Sequence, residues 1–213
     1  MSGRRSKVDP LDEHRASLAG CRTCALADGI APIVSAARDP RVMLVGQAPG
    51  KVESGGGKPF AGRAGATLWR WLDRAGISEA EARERIYIAA VTRCFPGPHP
   101  AGRGDRVPTP RERAQCRAWL DDELRIIRPV LLVLVGKLAI ESFLGPVSLD
   151  EVVGREIVVA HEGGESIAIP LPHPSGASSW IHQAGHDALL TRALELLRRR
   201  YRDAVPGASR QVA

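Results

Sequence analysis

Apolar residues fall into two rhythms along this chain. Short unbroken runs occur at 41–46 ("RVMLVG"), 85–94 ("RIYIAAVTRC") and 130–136 ("VLLVLVG"). Runs of this length without alternation predict strands buried on both faces. "EIVVA" at 156–160 and "SIAIPLP" at 166–172 read as further strands. Between the runs, apolar residues return at helical spacing. "AGATLWRWLDRAG" at 64–76 predicts a helix closed by glycine. Thr109, Pro110 and Glu112 form an N-cap signature for a helix whose apolar spacing continues to Ile127. "KLAIESFLG" is a short helix, and a last one spans about Ala184 to Arg200. Strands that alternate with helices predict an α/β protein with a parallel sheet covered on both faces. Ligands of such sheets sit beyond the carboxyl ends of the strands. "GQAPGKVESGGGKPF", "CFPGPHPAGRGDR" and "HPSGASSW" follow the first, second and last strands. They are expected to meet on one rim and to hold the site.

The glycine crowding in the first of these segments suggests a phosphate cradle, but neither nucleotide motif fits. Lys58 is followed by Pro59 and Lys51 by Val52, so the hydroxyl of a P-loop is missing. "GQAPG" also lacks the second glycine of a dinucleotide fingerprint. A length of 213 residues predicts one domain. Its expected limits are a basic flexible arm over 1–20, the domain over 21–203 and a disordered tail over 204–213. The net charge is +6, carried mostly by arginine. That balance favours a polyanionic partner, because guanidinium groups release counterions from phosphates. "MSGRRSK" has no apolar segment behind its charges, and "VLLVLV" is too short to span a bilayer. A soluble cytoplasmic protein with no membrane partner is expected.

Four cysteines in a reducing compartment argue against disulfides. Cys21 and Cys24 form a C-x-x-C pair, with Cys94 and Cys116 following. Together they could present four thiolates to zinc or to an iron–sulfur cluster. A redox pair at Cys21 and Cys24 is the rival reading, although no strand precedes "CRTC". Four unrelated buried thiols are the plainer alternative.

"GQAPG…GKPFAGRAG", the four cysteines and the terminal "HPS" loop resemble, in this order, the iron–sulfur uracil-DNA glycosylases of the family 4 type. The resemblance runs from about Cys21 to the last helix. It implies a three-layer αβα fold around a central four-stranded parallel sheet. It also implies hydrolysis of the N-glycosidic bond of deoxyuridine in single- or double-stranded DNA, by a monomer associated with the nucleoid. Cys21, Cys24, Cys94 and Cys116 then match the ligands of a [4Fe–4S] cluster. His173 matches the motif histidine that meets the charge developing on uracil, and Phe60 the ring that stacks on the base. Gly46, Gln47, Ala48, Ala90 and Ser175 fall at substrate-binding positions. Flipping a base out of a duplex requires close backbone approach, which glycine-rich segments permit.

The chain departs from the family pattern at three places. Gln47 stands where the motif usually has glutamate, so the acid for water activation must come from elsewhere. Glu53, in the same loop, is the first candidate and Asp105 the second. Ala90 stands where an asparagine commonly reads the uracil edge. The loop between Cys94 and Cys116 is longer than usual, with His99 as a weaker catalytic candidate. These changes keep two rivals open: a base-binding protein without turnover, and a zinc-stabilised hydrolase.

Overall fold

The computed structural model describes residues 9–24, 26, 32–102, 104–175 and 180–207. In chain order the elements are α1 (Pro10–Ala19), β1 (Val42–Gly46), α2 (Lys51–Gly56), α3 (Arg63–Arg74) and α4 (Glu79–Arg85). Then come β2 (Ile86–Ala90), α5 (Pro110–Ile127), β3 (Leu131–Val135), α6 (Lys137–Leu144) and α7 (Leu149–Val152). The chain continues through β4 (Ile157–His161), β5 (Gly164–Leu171), a 3-10 turn (Trp180–His182) and α8 (His186–Ala204).

The sheet order is β2-β1-β3-β5-β4. The four parallel strands expected from the sequence are its first four members. The difference is β4, which adds an antiparallel edge through a tight hairpin to β5. Every residue of β1 and of β3 is buried, as unbroken apolar runs require, whereas β4 is mostly open. Alternate residues feed two cores. Val42, Leu44, Ile86 and Val133 pack with α3 and α8 through Leu68, Leu72, Leu194 and Leu197. Met43, Val45, Tyr87 and Leu134 pack with α5 and α6 through Leu120, Leu124 and Ile140. The result is a three-layer αβα domain.

Thr109 caps α5 as its sequence predicts. The Thr109 hydroxyl accepts from the Glu112 amide at 3.3 Å, and Glu112 Oε2 accepts from the Thr109 amide at 2.7 Å. Residues 1–20, expected as a loose arm with a short helix, are helical from Pro10, and Leu11 and Leu18 are buried. Residues 1–8 and 208–213 lie outside the described residues. At the other end α8 reaches Ala204, with Val205 still buried.

Candidate active site

Parallel register places Gly46 beside Ala90, at the carboxyl ends of two neighbouring strands. The segments after β1, β2 and β5 close over these ends and enclose a cleft of about 630 Å³. Gly46, Gln47, Ala48 and Phe60 line it from the first segment, together with Glu53. Ala90 and Asp105 line it from the second, and His173 and Ser175 from the third. Lys51 and Arg63 are also among its walls.

His173 is held in one tautomer. Its Nδ1 accepts the backbone N–H of Ser175 at 3.2 Å, and the Ser175 hydroxyl lies 2.8 Å from the same nitrogen. An amide can only donate, so Nδ1 carries the lone pair and the neutral ring bears its proton on Nε2. Burial lowers the pKa of His173, which keeps that neutral form at physiological pH. The ring packs against the exit of β3. A Cβ on Gly136 would lie 2.8 Å from His173 Cδ2, so a side chain there would displace the histidine.

Phe60 has a left-handed backbone, with φ of 51°. Such a conformation costs a non-glycine residue about 1–3 kcal/mol and persists only where neighbours hold it. Here they do. Trp69 Nε1 donates to the Phe60 carbonyl at 3.0 Å, and the two rings meet edge to face at 6.1 Å. Gly65 lets this carbonyl approach, because a Cβ there would lie 1.9 Å from the oxygen. Arg83 donates to the Pro59 carbonyl at 2.9 Å while its guanidinium covers Trp69 at 4.6 Å. Trp69 and Arg83 went unnoticed in the sequence, where nothing marks them beyond helical spacing.

The two acids differ in their freedom. Glu53 is buried, and both of its oxygens are engaged. Oε2 accepts from the Gly50 amide at 3.1 Å and Oε1 from the Gly62 amide at 2.9 Å. The carboxylate thus pins the start of the glycine loop to the start of α3. Asp105 is exposed to the cleft at the end of a small hairpin bridge with Pro98. Burial, then the charge of Glu53, push its pKa up, against a hydrogen bond from the Lys51 amide. The neighbouring Arg106 turns to Glu112 instead, at 2.8 and 2.5 Å. Arg103 lies outside the described residues. His99 is exposed and its Nδ1 accepts from the Ala101 amide at 3.1 Å. It is not among the walls of the cleft.

All four cysteines are free and line one small pocket of about 10 Å³ beside the cleft. Cys21 and Cys24 follow α1, Cys94 follows β2, and Cys116 lies on α5. Burial, then the charges of the other three thiols, push the Cys94 thiol up to about 12. Cys21 goes the other way. Burial raises it, but hydrogen bonds from Thr23 and Trp119 outweigh that, and it is lowered. Among the described residues no three His, Cys, Asp or Glu side chains stand at the spacing of ligands around a single ion.

Beyond Ser175, residues 176–179 lie outside the described residues. The Trp180 indole donates to Asp150 at 2.5 Å and stacks on His186 at 4.1 Å.

The strand ends thus bring an aromatic ring, an imidazole with its Nδ1 occupied and two basic side chains to one cleft of an α/β protein. The chain belongs to the uracil DNA glycosylase superfamily, whose family model matches residues 33–198. It is 37% identical over 139 residues to a type-4 uracil-DNA glycosylase of Thermotoga maritima, covering 64% of this chain and 66% of that protein. A type-4 uracil-DNA glycosylase of Archaeoglobus fulgidus is 29% identical over 175 residues, or 79% of this chain and 83% of its own length. A type-5 uracil-DNA glycosylase of Pyrobaculum aerophilum is 34% identical over 117 residues, 49% of this chain and 48% of that protein.

Proposed function

We propose that this protein is a uracil-DNA glycosylase of DNA repair, a hydrolase that releases uracil from DNA and leaves an abasic site. The observation that carries the reading is the neutral His173 ring, its Nδ1 tied to Ser175 and its Nε2–H left as donor in a cleft that also holds Phe60. Lys51 and Arg63 at the cleft edge suit the flanking phosphates. A flipped uracil stacks on Phe60. As the C1′–N1 bond breaks, its electron pair passes to uracil and positive charge grows on the sugar. His173 Nε2–H donates to uracil O2, where negative charge appears only in the transition state. Asp105, as the carboxylate with uncommitted capacity, faces the cation and takes a proton from the water that adds to C1′. Glu53 holds the loop that carries Phe60. The protein acts as a monomer in the cytoplasm, and none of its described helices is long and apolar enough to cross a membrane.

The four thiols suit an iron–sulfur cluster. Four cysteines are the usual ligand set of such a cluster, and here all four are free and line one pocket. When bound, a [4Fe–4S] group on Cys21, Cys24, Cys94 and Cys116 supplies a structural tie between the segment after α1, the exit of β2 and α5.

Single-turnover assays on oligonucleotides carrying uracil, hypoxanthine or xanthine test the activity. Free uracil and an abasic strand are expected. Tight binding with no released base would instead establish the base-binding reading that Gln47 and Ala90 suggest. About four iron per chain is expected, and one zinc in colourless protein would replace the cluster.

The hold on Phe60 gives a further expectation. Arg83→Met should raise KM for uracil-containing DNA about 5-fold, the effect of about 1 kcal/mol, with the melting temperature nearly unchanged. Arg83→Lys should rescue it only in part, since an ammonium cannot both stack on Trp69 and reach the Pro59 carbonyl as a planar guanidinium does. Wild-type KM in Arg83→Met would show that Trp69 alone holds the loop.

A further inference from the structure

Arg93 lies between Ala90, in the cleft, and Cys94, in the thiol pocket, and it lines both cavities. Its side chain is 2% exposed, and Glu123, its ion-pair partner, is wholly buried. The other oxygen of Glu123 accepts from the Tyr87 hydroxyl at 2.8 Å, with His14 Nε2 3.5 Å away. Among the described residues Arg93 Nε has no hydrogen-bond partner, and the Arg93 backbone N–H donates to Cys116 Sγ at 3.3 Å. A buried ion pair is costly, because its desolvation often exceeds the attraction between the charges. Packing alone would favour two apolar residues at these positions. A neighbour that carries net negative charge changes this balance. Four thiolates on an iron–sulfur group are such a neighbour, and nearby charges and N–H···S bonds set the electron affinity of such groups.

Resting on the iron–sulfur reading above, we propose that Arg93 and Glu123 are positioning residues for the group held by the four cysteines. Arg93 supplies the buried positive charge that offsets the thiolates. Glu123 locks the guanidinium and limits its effect. The same contact fixes Arg93, which lines both the thiol pocket and the cleft.

The two residues carry opposite charges, so their removal should act with opposite sign on the one-electron couple of the iron–sulfur group. A merely structural role predicts no such opposition. In iron-replete protein, Arg93→Met should lower the midpoint potential, because a positive charge that favours the reduced form is gone. Glu123→Gln keeps the size and hydrogen-bonding capacity and should raise it. A tenfold change in the equilibrium, about 59 mV for one electron, is the expected scale for each. Arg93→Lys should stay near the wild-type potential. If Arg93→Met does not fold, Glu123→Gln and Arg93→Lys still decide the matter. Unchanged or same-direction shifts in protein that retains its iron overturn this inference and leave the iron–sulfur reading standing. Wild-type protein that never contains iron overturns that reading itself.

Discussion

Replacing His173 by alanine should lower the single-turnover rate of uracil release by about 10²-fold or more, while affinity for abasic DNA stays close to wild type. The expectation follows from where the donor acts. Uracil O2 is a weak acceptor before the bond breaks and a strong one afterwards, so the Nε2–H contact gains strength along the reaction. Ser175 fixes the tautomer by occupying Nδ1. Burial holds the ring neutral, which leaves the proton where the leaving group needs it. His173→Gln, which keeps a donor at a similar reach, should recover part of the lost rate. An unchanged rate in His173→Ala would remove the residue from the mechanism.

Glu53→Gln and Asp105→Asn should both slow excision by about 10²-fold, but they should separate in stability. Glu53 spends both oxygens on backbone amides. An amide in its place has one oxygen, so its NH₂ must face one of those N–H groups. A buried unsatisfied donor costs about 1–3 kcal/mol, and a fall of several degrees in melting temperature accompanies the lost rate. Asp105 is exposed to the cleft, and its replacement should leave melting unchanged. The pH dependence gives a second distinction. Burial and Glu53 raise the pKa of Asp105 above the ordinary carboxylate value, and in the proposed mechanism the anion is the active form. Excision should therefore be full above that pKa and fall as pH drops through it. Asp105→Asn should flatten this acid limb. If the limb survives the substitution, another group titrates there, and a full rate in Asp105→Asn would exclude Asp105 as the base.

The sheet was legible because burial on both faces leaves apolar runs such as "LLVLV" with no polar interruption. The start of α5 was legible because Thr109 and Glu112 cap it with their own side chains. Three short helices gave no such signal. In α4 only Ala82 is buried, so no apolar stripe forms. In α2 the capping group is Glu53 reaching back to Gly50, within a segment whose glycines read as loop. α7 is four residues long. Motif order pointed to Glu53, and a place on the second rim segment pointed to Asp105, but neither signal showed their different freedom. Arg93 and Glu123 were missed for a physical reason. Glu123 follows Asp121 and Asp122, and only its wholly buried position distinguishes it from these more accessible acids. Which acid of such a cluster faces inward depends on helical phase and on a partner 30 positions away.

The described walls of the thiol pocket lie between Cys21 and Trp119, whereas the cleft at the strand ends also takes His173 and Ser175. On a ribosome these appear in that order. A nascent chain that has released α5 already carries every thiol of the pocket, with β3 and β5 still to come. Such a chain still lacks Leu132 and Leu134, against which Leu120 and Leu124 of α5 pack, so a settled cysteine site waits on β3 and the cleft waits further, on the segment after β5.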